Sequence, residues 1–377
     1  MLRAIIFELQ KIMKSKFMWG LLLFFLAADG YIFTQTYFGI NKLSEGEKKI
    51  YSEVTGTITQ DKLDFVIENY KKYSKIIDSG EYSEQGGQEG TYTGYIMGDY
   101  GVFREIYEEL QAVYDYKGYI AQICNKAREN VKRQDGIGNS YGVRKYSLIY
   151  RSYAGREINS FYVGEVAENF FSYDFSTVFM FLLLAVGIGN CLLLDKENNM
   201  YEIIESAPFG HKKRAAAKIF AIALFCLGVV AIFTAFDLSV MQFEYRAVDN
   251  WDIPLYALPG YADTPLNCTV VQFFCLWMSY RYIAMLLFAF IVYTMYMIFL
   301  DGIKTIAYSI MVFCGFVFIS MKTKAYFNPV AMLNAQEMLK ECRICNIFGK
   351  PFFYHETVLG MVASAVIILG LIMIVLA

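Results

Sequence analysis

Six apolar runs dominate the pattern along the chain, at about 17 to 38, 175 to 194, 216 to 240, 280 to 300, 303 to 321 and 354 to 376. The hydrocarbon core of a bilayer is about 30 Å thick and takes roughly 20 apolar residues in helical form to cross, so each run predicts a membrane-spanning helix. In residues 1 to 16, Ile5, Ile6, Leu9, Ile12 and Met13 gather on one helical face and the basic residues on another. This reads as a helix lying in the cytoplasmic interface, or as a plain basic flank.

From 39 to 172 the pattern changes to Tyr, Lys, Glu and Gly. Leu63, Val66, Ile67, Tyr70, Tyr73 and Ile77 recur at helical spacing, with Asp61 as the expected N-cap. Phe103, Ile106, Tyr107, Leu110, Val113, Tyr114, Ile120, Ile123 and Ala127 repeat it over a longer run. Gly-rich stretches at 81 to 94 and 133 to 142 predict the breaks. The tyrosines read as core and interface, or as a rigid amphipathic surface for peptide substrates.

Composition supports a membrane protein: 56% of residues are hydrophobic and 17% aromatic. A net charge of -2 leaves no overall field to steer the chain to nucleic acid. The first apolar run continues through Tyr31, Ile32, Phe33, Tyr37 and Phe38, long enough for an uncleaved anchor rather than a signal peptide. Arg3, Lys11, Lys14 and Lys16 before the first run, and Lys212, Lys213, Arg214 and Lys218 before the third, place both flanks in the cytoplasm. Parity then puts 39 to 172 outside and both termini inside. Lys322, Lys324, Lys340, Arg343 and Lys350 run against that assignment, since they would all lie outside.

Candidate chemistry is sparse. Four of eight cysteines, Cys191, Cys226, Cys275 and Cys314, lie in apolar runs and read as packing residues. Cys342 and Cys345 form a CxxC without the two further ligands that tetrahedral zinc needs; a local disulfide would require an oxidising compartment. No metal site is expected. The string SEQGGQ at 83 to 88 imitates an ATPase signature loop, but no GxxxxGK[ST] accompanies it, so ATP hydrolysis is not expected of this chain. No paired carboxylates, histidines or activated nucleophile stand at interpretable spacing for an intramembrane enzyme.

Asp29 lies within an apolar run, where a carboxylate costs about 2.5 to 3.5 kcal/mol on insertion scales and so belongs in the bundle interior or in water. Substrate contact, pairing with a partner-subunit cation and a protonated carboxyl all remain open. Asp237 and Arg281 fall nearer the outer ends of their runs and read as interfacial, snorkelling groups. The loop from 254 to 272, with Pro254, Pro259, Gly260 and Pro265, reads as a re-entrant element if protein or water covers it.

Between the second and third runs lies DKENNMYEIIESAPFGHKKRAAAK, residues 195 to 218, far longer than a turn needs. Met200, Ile203, Ile204 and Ala207 share a helical face, Glu197, Glu202 and Glu205 lie elsewhere, and Pro208 and Gly210 stop the helix before a basic cluster. Such a helix can dock into a groove on another protein; a basic-anchored interfacial loop is the plainer reading.

An acidic residue after a span, a helix ending in Ser-x-Pro, then basic residues and a lysine opening the next span resembles the permease subunits of type-2 ABC exporters. The residues are Glu197, Glu205, Ser206, Ala207, Pro208, Lys212, Arg214 and Lys218. Segments 254 to 273 and 328 to 353 resemble those that such permeases carry before spans four and six. Met200 departs from the glycine many members have near that position. The resemblance implies a coupling helix at 196 to 209 that docks on a separate ABC ATPase through Glu197, Glu202, Ile203, Ile204, Glu205, Ser206 and Pro208. ATP and Mg would be held by that partner, with no cofactor in this chain, and a second permease chain would complete the path.

The expected architecture is all-α and polytopic: an interfacial helix (1–16), helix 1 (17–38), a large extracytoplasmic helical domain (39–172) and helices 2 to 6 (173–377). The expected role is that of a plasma-membrane permease exporting a lipid-like or amphipathic peptide cargo, such as an antimicrobial peptide. A membrane sensor, whose outer domain binds a ligand and signals through the cytoplasmic helix, is the alternative.

Overall fold

A computed structural model describes residues 1–37, 45–79, 91–162, 164–197, 210–244, 251–299, 301–322 and 329–376. Six of its helices are long and apolar enough to cross a membrane: Lys16–Thr36, Val166–Cys191, Lys213–Phe243, Val270–Phe299, Gly302–Lys322 and Tyr354–Val375. Helical segments suit that solvent because every backbone donor and acceptor within them is satisfied internally. The fourth starts about ten residues earlier than its apolar run predicts, because Val271, Phe273, Phe274 and Trp277 extend the helix beyond Arg281.

The elements in chain order are α1 (Leu2–Met13), α2 (Lys16–Thr36), α3 (Glu45–Val54), β1 (Gly56–Thr57), α4 (Gln60–Ser79), α5 (Thr91–Gly136), α6 (Ser140–Tyr153), β2 (Ser160–Phe161), α7 (Glu165–Ser172) and α8 (Ser176–Glu197). They continue with α9 (Gly210–Glu244), α10 (Val270–Phe299), α11 (Gly302–Lys322), α12 (Pro329–Leu333), α13 (Ala335–Lys340), β3 (Ile344–Ile347), β4 (Lys350–Phe353) and α14 (Tyr354–Leu376).

The spans pack through aromatic rings and close backbone approach. Phe181 of α8 stacks on Phe313 of α11 with centroids 4.2 Å apart, and both meet Phe288 of α10 edge-on. Gly187 of α8 faces Phe225 of α9 so closely that a Cβ there would sit 2.7 Å from the ring and 2.9 Å from Met18 of α2. Three spans therefore meet at a position that only glycine fits.

The insertion between spans one and two is helical, as its spacing predicts. Tyr51, Val54, Val66, Val102, Ile106, Leu110 and Phe161 form its core, and β1 pairs antiparallel with β2. The 46 residues of α5 extend about 69 Å at 1.5 Å per residue. The cap of α4 differs from expectation: Thr59 takes that position, its Oγ1 accepting from Lys62 N at 3.4 Å, while Asp61 lies in the first turn. A hydroxyl one residue before the helix reaches the free amides better than a carboxylate already inside it.

Beyond its own core the insertion is tied to the loop between α9 and α10. Arg156, almost fully buried, donates to Thr264 O at 2.8 Å and Leu266 O at 2.9 Å and lies over the rings of Tyr153 and Tyr256. The loop folds into two 3-10 turns, Leu255–Ala257 and Pro259–Tyr261, and Thr264 Oγ1 donates to Leu339 O of α13 at 2.6 Å. Its backbone is thus covered by protein from both sides. The segment before the last span closes in a β3–β4 hairpin, which the apolar pattern did not predict; its two turn residues, Phe348 (φ 48) and Gly349 (φ 76), both adopt the left-handed backbone that a tight hairpin turn requires.

Candidate functional site

Among the described residues, buried Asp, Glu and Arg side chains of the spans and α1 lie at two levels, one at each end of α8 and α9. The first surrounds Asp29, which the chain places on the face of α2 that turns inward with Phe25 and Phe33. Asp29 is fully buried, and Tyr173, in the link between α7 and α8, donates its hydroxyl to Asp29 Oδ1 at 2.6 Å. The carboxyl of Asp237, from α9, lies within hydrogen-bonding reach of Asp29. Arg281 of α10, fully buried, donates from Nη2 to Ser176 Oγ at 2.7 Å and lies over the Trp277 ring, 4.4 Å from its centroid.

Asp237 and Arg281 correct the sequence reading: neither is a snorkelling group. Asp237 is 2% exposed and Arg281 0%, because α9 and α10 are rotated so that both side chains are enclosed within the bundle rather than reaching the membrane surface; Arg281 Nε and Nη1 are buried there without an acceptor. Position along an apolar run gives depth, whereas rotation about the helix axis is set by packing. Each ion placed alone in hydrocarbon would be costly, and opposite charges enclosed at one level offset part of that cost. The cluster joins α2, the start of α8, α9 and α10, so it ties four spans together.

The second level lies roughly 22 Å away along α8, counting from Ser176 to Cys191 at 1.5 Å per residue. Here Glu8 of α1 is buried, paired with Lys11 at 2.8 Å and with Arg214 Nε of α9 at 3.5 Å, and Cys191 of α8 packs beneath it. Glu8 and Ile12 face the bundle, while Leu2, Ile6, Phe7 and Met13 of α1 are exposed. The apolar stripe read from the sequence is therefore divided between two faces. Glu8 was missed because a lone acidic residue among apolar ones, with Lys11 one turn on, looks like solvated helix surface; its other cationic partner, Arg214, comes from a distant part of the chain.

Between α1, α2 and α9 lies an apolar groove of about 190 Å³, lined by Leu9, Ile12, Trp19, Leu22, Leu224 and Phe225 among others. Trp19 Nε1 closes its corner by donating to Met13 O at 2.8 Å.

Of the expected docking residues, Glu197 is the last residue of α8, and Glu202, Ile203, Ile204, Glu205, Ser206 and Pro208 lie outside the described residues. Gly210 is the first residue of α9. Cys342 and Cys345 are free thiols, and burial pushes Cys342 up from its ordinary pKa. Among the described residues no group of three or more His, Cys, Asp or Glu side chains is arranged to hold a metal ion.

Fold and interior together define an all-α membrane protein with six apolar spanning helices and a helical insertion after the first. Compared with known proteins, the chain matches no family model, no curated protein and no solved structure.

Proposed function

We propose that this chain is the permease subunit of a type-2 ABC exporter in the plasma membrane, with both termini cytoplasmic. It moves a lipid-like or amphipathic peptide cargo, driven by a separate ATPase and paired with a second permease chain. The observation that carries this reading is where the segment from 198 to 209 is suspended. It connects α8 to α9, and these two helices are clamped to α1 by Glu8, Arg214 and Cys191 at one end and to α2 and α10 by the buried charges at the other. A push on that segment would therefore move packed helices as bodies, which is what coupling to closure of an ATPase dimer requires.

The order of elements supports the same reading: a short amphipathic helix, a span, a large insertion and five further spans. Co-purification from native membranes should retain an ABC ATPase. Glu205→Lys combined with Pro208→Gly should reduce that retention and the stimulated ATPase rate. A chain that brings no ATPase under gentle solubilisation, with the double variant equal to native, overturns the proposal. Orientation has its own test: Lys340→Cys should label from outside the cell, and labelling only from the cytoplasm overturns the six-span topology.

A further inference from the structure

We propose that Asp29 and Asp237 form a proton-binding site, in which one proton is shared between the two carboxyls and the remaining single negative charge balances Arg281.

Three observations meet here. First, α2 and α9 pack directly at this level, a Cβ at Gly30 falling 3.1 Å from the Phe236 ring, which brings the neighbouring carboxyls of Asp29 and Asp237 within reach of each other, and both residues are almost completely shielded, at 0% and 2% exposure. Second, Asp29 Oδ2 and Asp237 Oδ1 are buried without a donor. A carboxylate only accepts hydrogen bonds, so two ionised carboxylates in contact leave each other unsatisfied. A proton on either one becomes the donor that the other needs. Third, the charges do not balance as they stand: two carboxylates face one guanidinium, and an uncompensated ion in a dry interior is far costlier than a neutral acid.

The neighbouring groups leave that count unchanged. Tyr173 already gives its hydroxyl proton to Asp29 Oδ1. Ser176 accepts from Arg281 Nη2 and lies within reach of Asp237 with its own proton free to donate. Tyr37, the residue that follows α2, meets the Tyr173 ring, and Trp277 covers the face of the guanidinium. Asp174, in the link before α8, is the further acid near Arg281, but it is exposed and its charge is solvated by water rather than balanced inside the cluster. Like-charged carboxyls at contact distance titrate as a pair, so the proton belongs to the two together and not to either residue.

Binding this proton forms one O–H bond at a carboxylate and requires no other reactant. Its uptake changes the charge at a level that α2, α8, α9 and α10 all reach.

Infrared spectroscopy of the purified native protein tests the site directly. At neutral pH it should contain a carboxylic-acid carbonyl band that shifts in deuterium oxide. Glu8, the remaining buried acid among the described residues, is paired with two cations and contributes none. Asp29→Asn and Asp237→Asn should each remove the band, since the surviving carboxylate then pairs with Arg281, and each should keep the native yield and melting temperature. The double Asn variant should lose yield and melting temperature, and adding Arg281→Met should restore both. A native protein without the band, a band that survives in both single variants, or a double variant as stable as either single one overturns the proposal. The native spectrum decides even where a variant fails to fold.

Discussion

The Tyr173 hydroxyl donates to Asp29 Oδ1 at 2.6 Å, fastening the link before α8 to a buried carboxyl of α2. The ring itself packs edge-on against Phe33, with centroids 4.6 Å apart. Tyr173→Phe keeps that packing and removes only the donor. Leaving a buried acceptor without its partner costs about 1–3 kcal/mol, so the melting temperature in detergent should fall. An unchanged melting curve would mean that the bond contributes nothing.

Glu8 covers Cys191, whose sulfur lies 3.9 Å from the Glu8 carbonyl oxygen. Glu8→Ala removes the ion pair that holds α1 to α9 and leaves Arg214 without this counter-charge. Labelling of Cys191 by a small membrane-permeant thiol reagent should accelerate in the variant, with Cys226 as the buried internal control. Equal labelling rates would show that α1 is held by its apolar contacts alone.

Gly187 and Gly228 should respond oppositely to the same change. Gly187→Ala drives a methyl into Phe225 and Met18, at 2.7 and 2.9 Å, and overpacking of this kind costs about 1–3 kcal/mol. At Gly228 nothing lies within 4 Å of an added Cβ, so Gly228→Ala should leave stability intact. Parallel thermal melts read the contrast, and two equal curves would refute the close approach of α8 and α9.

Tyr119 of α5 donates to the Asp263 carboxylate in the loop before α10. That hydrogen bond, with a smaller effect of burial, pushes its phenol up to about 12. The fold thus favours the neutral phenol over the unfolded value near 10. Its contribution is fully present below about pH 10 and is lost as pH rises to about 12. The stability advantage of native protein over Tyr119→Phe should narrow across that window. A constant difference would assign the hydrogen bond no role.

The membrane helices were legible because a bilayer imposes a length and a composition that the chain must display within each segment. The helical insertion was legible for a similar reason, its Leu63-to-Ile77 and Phe103-to-Ala127 repeats being local. Even so, the edges moved where competition was local and close, as at Thr59 against Asp61. The β3–β4 hairpin escaped because its turn depends on left-handed backbone at Phe348 as well as Gly349, and phenylalanine gives no such signal.

The sequence by itself determined that Asp29 lies within a span and so needs a partner, since its energetic cost in hydrocarbon depends only on depth. Only the tertiary structure decided which partners it has. Asp237 is 208 residues away and Arg281 252 residues away along the chain, and whether each points at the lipid or into the bundle depends on how α9 and α10 rotate as they pack. The same holds for Glu8 and Arg214. Depth is a property of one segment, whereas facing is a property of several segments at once, and that is where periodicity along the chain ceases to inform.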